Sequence, residues 1–237
     1  MDTHADHAPQ PDLIPVLLTG RVAPLPGSEI LSGIAKAKTD EPLWLGPEGF
    51  HGDMQADRRV HGGIEKALHH YPRDHAPAWR DEIGAHPLLD RPGGFGENLS
   101  AEGLTEDRVA VGDIFRLGAA LLQVSQGRQP CWKLNLRFGL PDMARRVQAS
   151  GRTGWYYRVL EAGRVAPGDR LSRIDRLAPD WTLHRLWRAM YVDRLDRAEL
   201  AGIAGLEVLA EGWRRHAQRR LESGRVEDWR PRLEGAR

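Results

Sequence analysis

Apolar residues follow two different spacings along the chain, and the change comes at Pro179. From Leu13 to about Ala178, short apolar runs are separated by Gly, Pro and Asp, which is typical of short strands. The runs that predict strands are Leu17–Val22, Leu43–Leu45, Ala67–His70, Val109–Val111, Ile114–Leu117, Ala120–Ser125, Trp155–Leu160 and Arg170–Ile174. Many short strands at this spacing favour a barrel or a strongly bent sheet over a βαβ array.

The turns between these runs predict how some of the strands pair. Ile114–Leu117 and Ala120–Ser125 are joined by Gly118-Ala119, which indicates a hairpin. Trp155–Leu160 and Arg170–Ile174 are predicted as a second pair, interrupted by Gly, Pro and Asp in the connection.

Two helices are predicted to interrupt the strands. Asp74 is placed to cap the first, which runs to about Ile83 with Pro77 in its first turn, where the missing N–H costs little. The second helix follows Pro141 and stops at Gly151.

After Pro179 the apolar positions recur with the 3.6-residue period of a helix. Three helices are predicted, the second capped by Asp196 and the third stopped by Ser223-Gly224. Their apolar stripes contain Leu183, Leu186, Trp187, Met190 and Tyr191, then Leu200 and Ile203, then Leu209, Trp213, Ala217 and Leu221. The basic residues beside the third stripe are interpreted as a solvated helix face, and they are Arg214, Arg215, Arg219 and Arg220.

The pattern therefore divides the chain into three parts. Residues 1–12, MDTHADHAPQPD, are predicted to be a short disordered tail. Residues 13–178 form the strand-rich domain and residues 179–237 a small three-helix domain.

Composition excludes several classes of partner. The 34 Lys and Arg residues nearly balance 33 Asp and Glu, for a net charge of +1, whereas binding to a phosphate backbone usually needs a strong basic excess. Nucleic acid is therefore not an expected partner. No apolar stretch approaches the ~20 residues of a membrane span, so no membrane association is expected.

Cys131 is the only cysteine of the 237 residues, which rules out an intramolecular disulfide and favours a reducing, cytoplasmic setting. An iron–sulfur cluster normally takes four thiolates, so this chain holds none unaided. The glycine motifs of Rossmann and P-loop nucleotide sites do not occur either. Redox chemistry here would need electrons from another protein.

Three polar, glycine-bearing segments are candidates for a binding site. They are VHGGIEKALHHYP from Val60, GGFGENL from Gly93 and SQGRQPCWKLN from Ser125. Glycines in the first two allow a ligand or another strand to approach the backbone closely. The third contains Cys131 at the end of the clearest strand.

Cys131 has two interpretations. A lone cysteine is most often a small buried hydrophobe. Its position in a loop between two cations, Arg128 and Lys133, instead favours a reactive thiolate. One thiolate suffices as a metal ligand when a cofactor supplies the remaining ligands.

The ten histidines raise two further hypotheses. Zinc is disfavoured because neither an H-E-x-x-H motif nor a paired Cys/His spacing occurs. A hydrolase dyad of Cys131 and His61 stays open, although no third, orienting residue is evident.

At these three segments the chain resembles the molybdenum cofactor sulfurase C-terminal (MOSC) domain, in particular its YiiM-type subgroup. EGLTEDRVAVGDIFRLG from Glu102, GRTGWYYRVLEAGRVAPGD from Gly151 and the three helices after Pro179 match as well. The resemblance covers nearly the whole chain from about Leu13. It implies an α+β fold, a β-rich MOSC-type barrel with peripheral helices, followed by a small C-terminal three-helix domain.

The resemblance also implies the molybdenum cofactor, in which a pyranopterin dithiolene holds the metal and Cys131 completes its coordination. Relatives of this type reduce N-hydroxylated compounds, such as hydroxylamino-purines and amidoximes, which is a detoxification reaction. The cations assigned to the cofactor's phosphate or to charge compensation are Arg128, Lys133, Arg158 and Lys66. Asn98 and Asn135 are assigned to the pterin, with Gly62 and Gly96 admitting it. His61 is the expected proton donor, with Glu97 as the alternate.

Two functions remain open on this basis. In the first, the protein is a complete reductase that receives electrons from a separate flavin or iron–sulfur protein. In the second, it is a carrier whose Cys131 bears a persulfide or holds the cofactor for transfer, without turnover. The three-helix domain is either a docking surface for the reductase or a homodimer contact.

Overall fold

The computed structural model describes residues 12–235, so the predicted tail lies almost wholly outside the described residues. The strands are Val16–Thr19 (β1), Ala23–Pro24 (β2), Leu31–Ser32 (β3), Ala37–Lys38 (β4), Leu43–Gly46 (β5), Gly49–Phe50 (β6), Leu68–Pro72 (β7), Leu99–Ala101 (β8), Asp113–Leu117 (β9), Ala120–Gly127 (β10), Trp155–Glu161 (β11), Gly163–Val165 (β12) and Leu171–Arg176 (β13). The helices are Arg58–His61 (α1), Ala76–Ile83 (α2), Lys133–Phe138 (α3), Met143–Ser150 (α4), Leu183–Tyr191 (α5), Arg197–Gly205 (α6), Glu211–Ser223 (α7) and Arg230–Glu234 (α8).

The main sheet has eight strands in the order β13-β9-β10-β11-β7-β8-β1-β4. Only β7 and β8 pair in parallel within it. Leu13, just before β1, exchanges two backbone hydrogen bonds with Leu171 at the start of β13, which belongs to the opposite edge strand. The sheet is therefore curled into a half-barrel, as the short, frequently interrupted apolar runs predict.

The hairpin prediction is confirmed, because Leu117 of β9 pairs with Ala120 of β10 across a two-residue turn. The second predicted pair is wrong. β11 lies between β10 and β7, whereas β13 pairs with β9. The chain leaves β11 through β12, which pairs with β5 of a separate three-stranded sheet, and this detour carries β13 to the far edge.

Val109–Val111 is buried but forms no strand, so that prediction is wrong. Its backbone joins Ala110 to Thr182 in an isolated bridge, and Val111 N–H donates to the Trp181 carbonyl. The segment is apolar because it lies beneath the C-terminal helices, and burial alone cannot distinguish that setting from a strand.

Several helix boundaries agree with the sequence, while the cap of α2 does not. Asp196 accepts hydrogen bonds from the first turn of α6, and Gly224 ends α7 in the left-handed conformation. Asp74 instead accepts from the N–H of Gly103, and His75 occupies the position before α2. The sequence reading missed α1, α3 and α8.

The largest apolar core is shared by the sheet and the C-terminal helices. Leu68, Val124 and Tyr157 of the sheet belong to the same buried cluster as Leu186 and Trp213 of α5 and α7. A second cluster joins α2, α3 and α4 with Leu233 of α8.

Arg220 corrects the interpretation of the basic run on α7. Its side chain is 1% exposed and binds Glu227 and the backbone carbonyls of Met190 and Arg194. The run is therefore partly structural. Among residues 12–235, no helix is long and apolar enough to cross a membrane.

Candidate active site

A concave pocket of about 650 Å³ lies where the end of β10 meets loops from distant parts of the chain. We call it the cationic pocket, and the sequence-predicted residues on its walls are His61, Lys66, Gly96, Asn98, Arg128, Cys131 and Lys133. The fold thus brings together seven of the eleven residues that sequence reasoning assigned to the site, from three separated segments.

Cys131 lies in the loop of residues 128–132, between β10 and α3, which we call the Cys131 loop. The loop begins where Arg128 N–H donates to the Gly154 carbonyl at 3.0 Å, and it ends where Leu134 N–H donates to the carbonyl of Cys131 at 3.0 Å. Both bonds are to backbone, so they fix the path of the loop and leave the thiol free. Cys131 is partly exposed and lies on the wall of the pocket.

Three cations give the pocket its charge. Lys66 Nζ donates to the Val60 carbonyl at 2.6 Å, and Lys133 Nζ to the Leu31 carbonyl at 3.0 Å. Arg128 is 5% exposed; its Nη2 donates to the Phe95 carbonyl at 3.3 Å, but its Nη1 has no hydrogen-bond partner. Within residues 12–235 no carboxylate forms a salt bridge with these three, so the pocket carries uncompensated positive charge.

His61 is neutral in this environment. Burial, reinforced by the charges of Lys133, Lys66 and Arg128, lowers the pKa of His61 to about 4. At neutral pH its imidazole is thus a hydrogen-bonding group and a base, not the protonated acid that the sequence-based assignment requires. An anion in the pocket would oppose the three cations and move this pKa back up.

Lys36 is a pocket residue that the sequence analysis missed. Its ammonium binds the carboxylate of Asp53, and both side chains are nearly fully buried. Asp53 also accepts from the Asn98 side-chain amide at 2.9 Å and from the N–H of Gly20 at 2.7 Å. This network fixes Asn98 on the pocket wall, and its Oδ1 accepts from the His69 N–H, so the amide of Asn98 is already engaged.

A second concavity, the outer cleft, lies on the other side of Cys131. It measures about 1020 Å³ and shares His61, Lys66, Gln129, Cys131 and Tyr156 with the cationic pocket. Its remaining walls come from α1, the end of β10, Trp132 and α8. Cys131 therefore lies on the wall shared by two adjoining spaces, one lined by cations and one lined by α1, Trp132 and α8.

Four predicted site residues do not line the cationic pocket. Glu97 is buried and accepts from the N–H groups of Gly93 and Phe95, which shapes the glycine loop behind the pocket. Burial raises the pKa of Glu97. Gly62 only ends α1, where a Cβ would lie 3.3 Å from the backbone of Arg58.

Asn135 and Arg158 are also engaged elsewhere. The Asn135 side chain donates to the Leu233 carbonyl and accepts from the Ala144 N–H, so it joins α3 to α8 and α4. The Arg158 guanidinium is occupied by Glu65, by Gln123 and by the Val208 carbonyl. A guanidinium with these partners has no free donor pair to offer a phosphate.

Sequence reasoning also missed pocket residues inside segments that it had singled out. His69, Gln129 and Tyr156 line the pocket beside Lys36. His69 belongs to a quoted segment, but alternation along β7 did not indicate which histidine faces the site. Among the described residues, no group of three or more His, Cys, Asp or Glu side chains is placed to hold a metal ion, so the zinc hypothesis has no donor set.

Comparison with known proteins identifies the two parts of the chain. Residues 57–172 match the model of the MOSC domain, and residues 181–224 match the YiiM-like 3-alpha helix domain. Protein YiiM of Escherichia coli is 41% identical over 220 residues, covering 92% of this chain and 96% of that protein. The uncharacterized protein YflK of Bacillus subtilis is 43% identical over 188 residues, which covers 79% of this chain and 84% of YflK.

Comparison with solved structures points to the same relatives. The crystal structure of YiiM from Escherichia coli superposes with a TM-score of 0.81 at 34% identity, covering 95% of this chain and all of that one. YiiM from Geobacillus stearothermophilus gives a TM-score of 0.75 at 32% identity, with 89% of this chain and all of that chain covered. Together with the fold and the pocket, these likenesses show that the chain belongs to the YiiM-like family of MOSC-domain proteins.

Proposed function

We propose that this protein is a molybdenum-cofactor-dependent reductase of N-hydroxylated compounds, which receives electrons from a separate flavin or iron–sulfur protein. The observation that carries the proposal is the position of Cys131, the chain's only thiol, on the wall shared by the cationic pocket and the outer cleft. That position places one soft ligand beside the cations of the cationic pocket and also beside the outer cleft.

The residues of the cationic pocket fit the cofactor in two respects. A thiolate is a soft ligand suited to a metal whose other ligands come from sulfur of a cofactor. The buried Nη1 of Arg128 has no acceptor, and an unpaired buried guanidinium N–H is costly unless a ligand oxygen completes it. Lys66 and Lys133, which now donate to backbone carbonyls, would assist Arg128 in holding a phosphate.

The reaction balances with two electrons and two protons for each substrate. The N–O bond breaks, the nitrogen gains a hydrogen in place of the hydroxyl, and the oxygen leaves as water. One of the two protons forms the new N–H bond and the other completes the water. The cofactor, held by Cys131 and the cations of the pocket, would supply the two-electron chemistry, while the protein supplies positions, charge and protons. Since the chain holds neither a flavin motif nor four cysteines, its electrons come from another protein.

The chain's own groups have distinct parts in this scheme. The outer cleft admits the substrate, with Trp132 and Tyr156 offering flat apolar walls beside Cys131. His61 lies on both spaces and, once an anionic phosphate offsets the three cations, its raised pKa allows it to hold and deliver a proton. Glu97 is excluded from proton transfer in this scheme because both its oxygens bind backbone N–H groups.

One relative supports a reductase. A protein of Gibberella moniliformis named "Reductase" is 38% identical over 192 residues, which cover 79% of this chain but only 34% of that longer protein.

The deciding experiment measures molybdenum per chain by elemental mass spectrometry on protein made in a cofactor-competent host. We expect about one molybdenum per chain and its loss in Cys131→Ser, because the metal then lacks its protein ligand. Arg214→Ser on α7, remote from both pockets, is the control and keeps the metal. Loaded protein is then given an amidoxime with an artificial reductant, and amidine formation is followed.

Other results would distinguish the carrier function from the reductase. Molybdenum that binds without turnover, or a persulfide on Cys131 found by intact-protein mass spectrometry, supports the carrier function. Absence of molybdenum from a folded protein made in a cofactor-sufficient host contradicts the reductase proposal.

A further inference from the structure

Helix α8 holds the Cys131 loop from both sides through one residue, Arg232. The carbonyl of Arg232 accepts from Trp132 N–H at 2.8 Å, immediately after Cys131. The guanidinium donates to the carbonyl of Pro130, immediately before Cys131, and to the Gln148 side chain of α4. The two neighbours of the thiol are thus tied to the same residue, about 100 positions along the chain.

Further contacts hold the loop against the C-terminal region. Gln129 Nε2 donates to the hydroxyl of Tyr191 at the end of α5, at 3.1 Å. Asn135 donates to the carbonyl of Leu233, and a Cβ at Gly235 would come within 3.2 Å of the Trp132 ring. The backbone around Cys131 is therefore supported mainly by elements that follow Pro179.

α8 is not an independently stable helix. It has five residues, and an isolated helix of that length does not persist in water. It stays in place because Leu233 is 3% exposed in the second apolar cluster and Trp229 packs beside it. Both family-model matches end before it, at residues 172 and 224, so neither matched domain includes it.

We infer that α8 is part of the active site and that Arg232 is a positioning residue for Cys131. It fixes the direction in which the thiol faces the boundary between the cationic pocket and the outer cleft, and with Pro231 it forms a wall of that cleft. The inference deepens the proposed function and rests on it for the chemical meaning of the thiol's position. The contacts of Arg232 with Pro130 and Trp132, which we call the clamp, involve only this chain's residues.

The test uses the fact that Cys131 is the only cysteine, so any thiol reaction reports on this loop alone. The rate of alkylation by iodoacetamide is measured on cofactor-free protein at fixed pH. Arg232→Met removes the charge-assisted hydrogen bond to the Pro130 carbonyl, next to the thiol, and the one to Gln148 on α4. We expect alkylation to accelerate about tenfold because the loop opens more often. Arg230→Met is the matched control on the same helix, since Arg230 binds only the neighbouring Asp228, and it leaves the rate unchanged.

Two further variants separate positioning from general stability. Arg232→Lys keeps one donor for the Pro130 carbonyl, loses the bidentate reach to Gln148, and gives an intermediate acceleration of about threefold. Ile203→Val, at a fully buried side chain of α6, lowers the melting temperature without changing the alkylation rate. If Arg232→Met does not fold, Arg232→Lys carries the same test.

The inference is overturned if both Arg232 variants react at the wild-type rate, or if Arg230→Met accelerates the reaction equally. Because alkylation is measured without cofactor, these outcomes do not depend on the proposed reductase activity. Molybdenum content of the same variants then tests the link: a faster-reacting thiol with normal metal would show that the clamp is real but unnecessary for loading.

Discussion

Arg128 shows at the level of one residue how a binding site reduces the stability of the fold that holds it. Its guanidinium is buried with one N–H group unsatisfied, and desolvation of a charged donor without an acceptor costs free energy. Arg220 is equally buried, but it is fully engaged by Glu227 and two carbonyls. The contrast is between a buried guanidinium with an unsatisfied nitrogen and one whose three nitrogens are all engaged.

Substitution by methionine at these two arginines is expected to have opposite effects on the cofactor-free protein. Arg128→Met removes an unpaired charge and raises stability by about 1 kcal/mol, which corresponds to roughly 2–4 °C in melting temperature. Arg220→Met removes the salt bridge to Glu227 and the donor to the Met190 and Arg194 carbonyls, and it lowers stability by about 3 kcal/mol. Calorimetry checks both; a large loss of stability in Arg128→Met would contradict the interpretation of Arg128 as a ligand-binding group.

Buried neutral histidines make the protein sensitive to acid. Burial lowers the pKa of His70 to about 3, and its Nδ1 lies 3.1 Å from the hydroxyl of Tyr157. In the unfolded chain His70 binds a proton near pH 6.5. Between these values the unfolded state binds more protons, so stability is lost as the pH falls from about 6.5 towards 3.

His70→Phe is therefore expected to reduce the acid sensitivity. From pH 6.5 to pH 4.5 the wild-type protein loses about 2 kcal/mol more of unfolding free energy than the variant, since phenylalanine does not titrate. Urea unfolding at both pH values measures the difference. Equal losses in the two proteins would show that His70 is not neutral in the fold.

Among the elements, helices α6 and α7 show how packing overrides intrinsic helix propensity. Gly202 lies inside α6 against Trp181, and a Cβ there would come within 3.0 Å of two atoms of the indole ring. Gly212 near the start of α7 has no heavy atom within 4 Å of the same position. The absence of a side chain is required at Gly202 and only unfavourable at Gly212.

Alanine substitution is expected to distinguish these two glycines. Gly212→Ala stabilises the protein by about 0.5–1 kcal/mol, because alanine restricts the unfolded chain and favours the helix. Gly202→Ala destabilises it by about 1–3 kcal/mol, because the Trp181 ring must move out of its place. Thermal unfolding of the two variants gives the signs, and a stabilising Gly202→Ala would contradict the close packing described here.

Some helices and strands could be predicted from the sequence and others could not, for physical reasons. The hairpin at Gly118 and the caps at Asp196 and Gly224 depend on local residue chemistry, and the sequence predicted them correctly. Val109–Val111 was mistaken for a strand because burial, not strand pairing, selects its apolar residues. α8 was missed because five residues carry no measurable period and are held by tertiary contacts, not by local signals.

For the site, local chemistry was again the predictable part. Cys131, His61, Lys66, Arg128 and Lys133 were identified from motif-bearing segments, and the fold places all five on one pocket. Lys36 was missed, because its role depends on a tertiary contact with Asp53 that no local pattern records. Arg158 was assigned to the cofactor for its charge, but its partner Glu65 lies far away in sequence.

At the scale of the whole molecule, the two matched domains behave as one packed body. Leu183 and His184 donate backbone hydrogen bonds to Val109 and Glu106, and Ala210 donates to the Ser125 carbonyl. One apolar cluster continues from the sheet into α5, α6 and α7. Separation of residues 179–237 from the sheet would expose this cluster to water.

We therefore expect a single cooperative unfolding transition for the cofactor-free protein. Calorimetric and van't Hoff enthalpies should agree, since neither part keeps a closed core without the other. A chain of residues 13–178 alone is expected to unfold or aggregate. Two resolved calorimetric transitions, or a well-folded shortened chain, would show that the domains are independent.

The contacts of α8 with the Cys131 loop can form only some time after Cys131 has been synthesised. Arg232 follows Pro130 by 102 residues, and ribosomes add roughly 5–20 residues per second, so Cys131 is made several seconds before its clamp exists. During synthesis the thiol and the pocket's cations are present without the support that positions them. Loading of a metal group is therefore expected to wait until α8 has been made and packed, rather than to begin once Cys131 has been made.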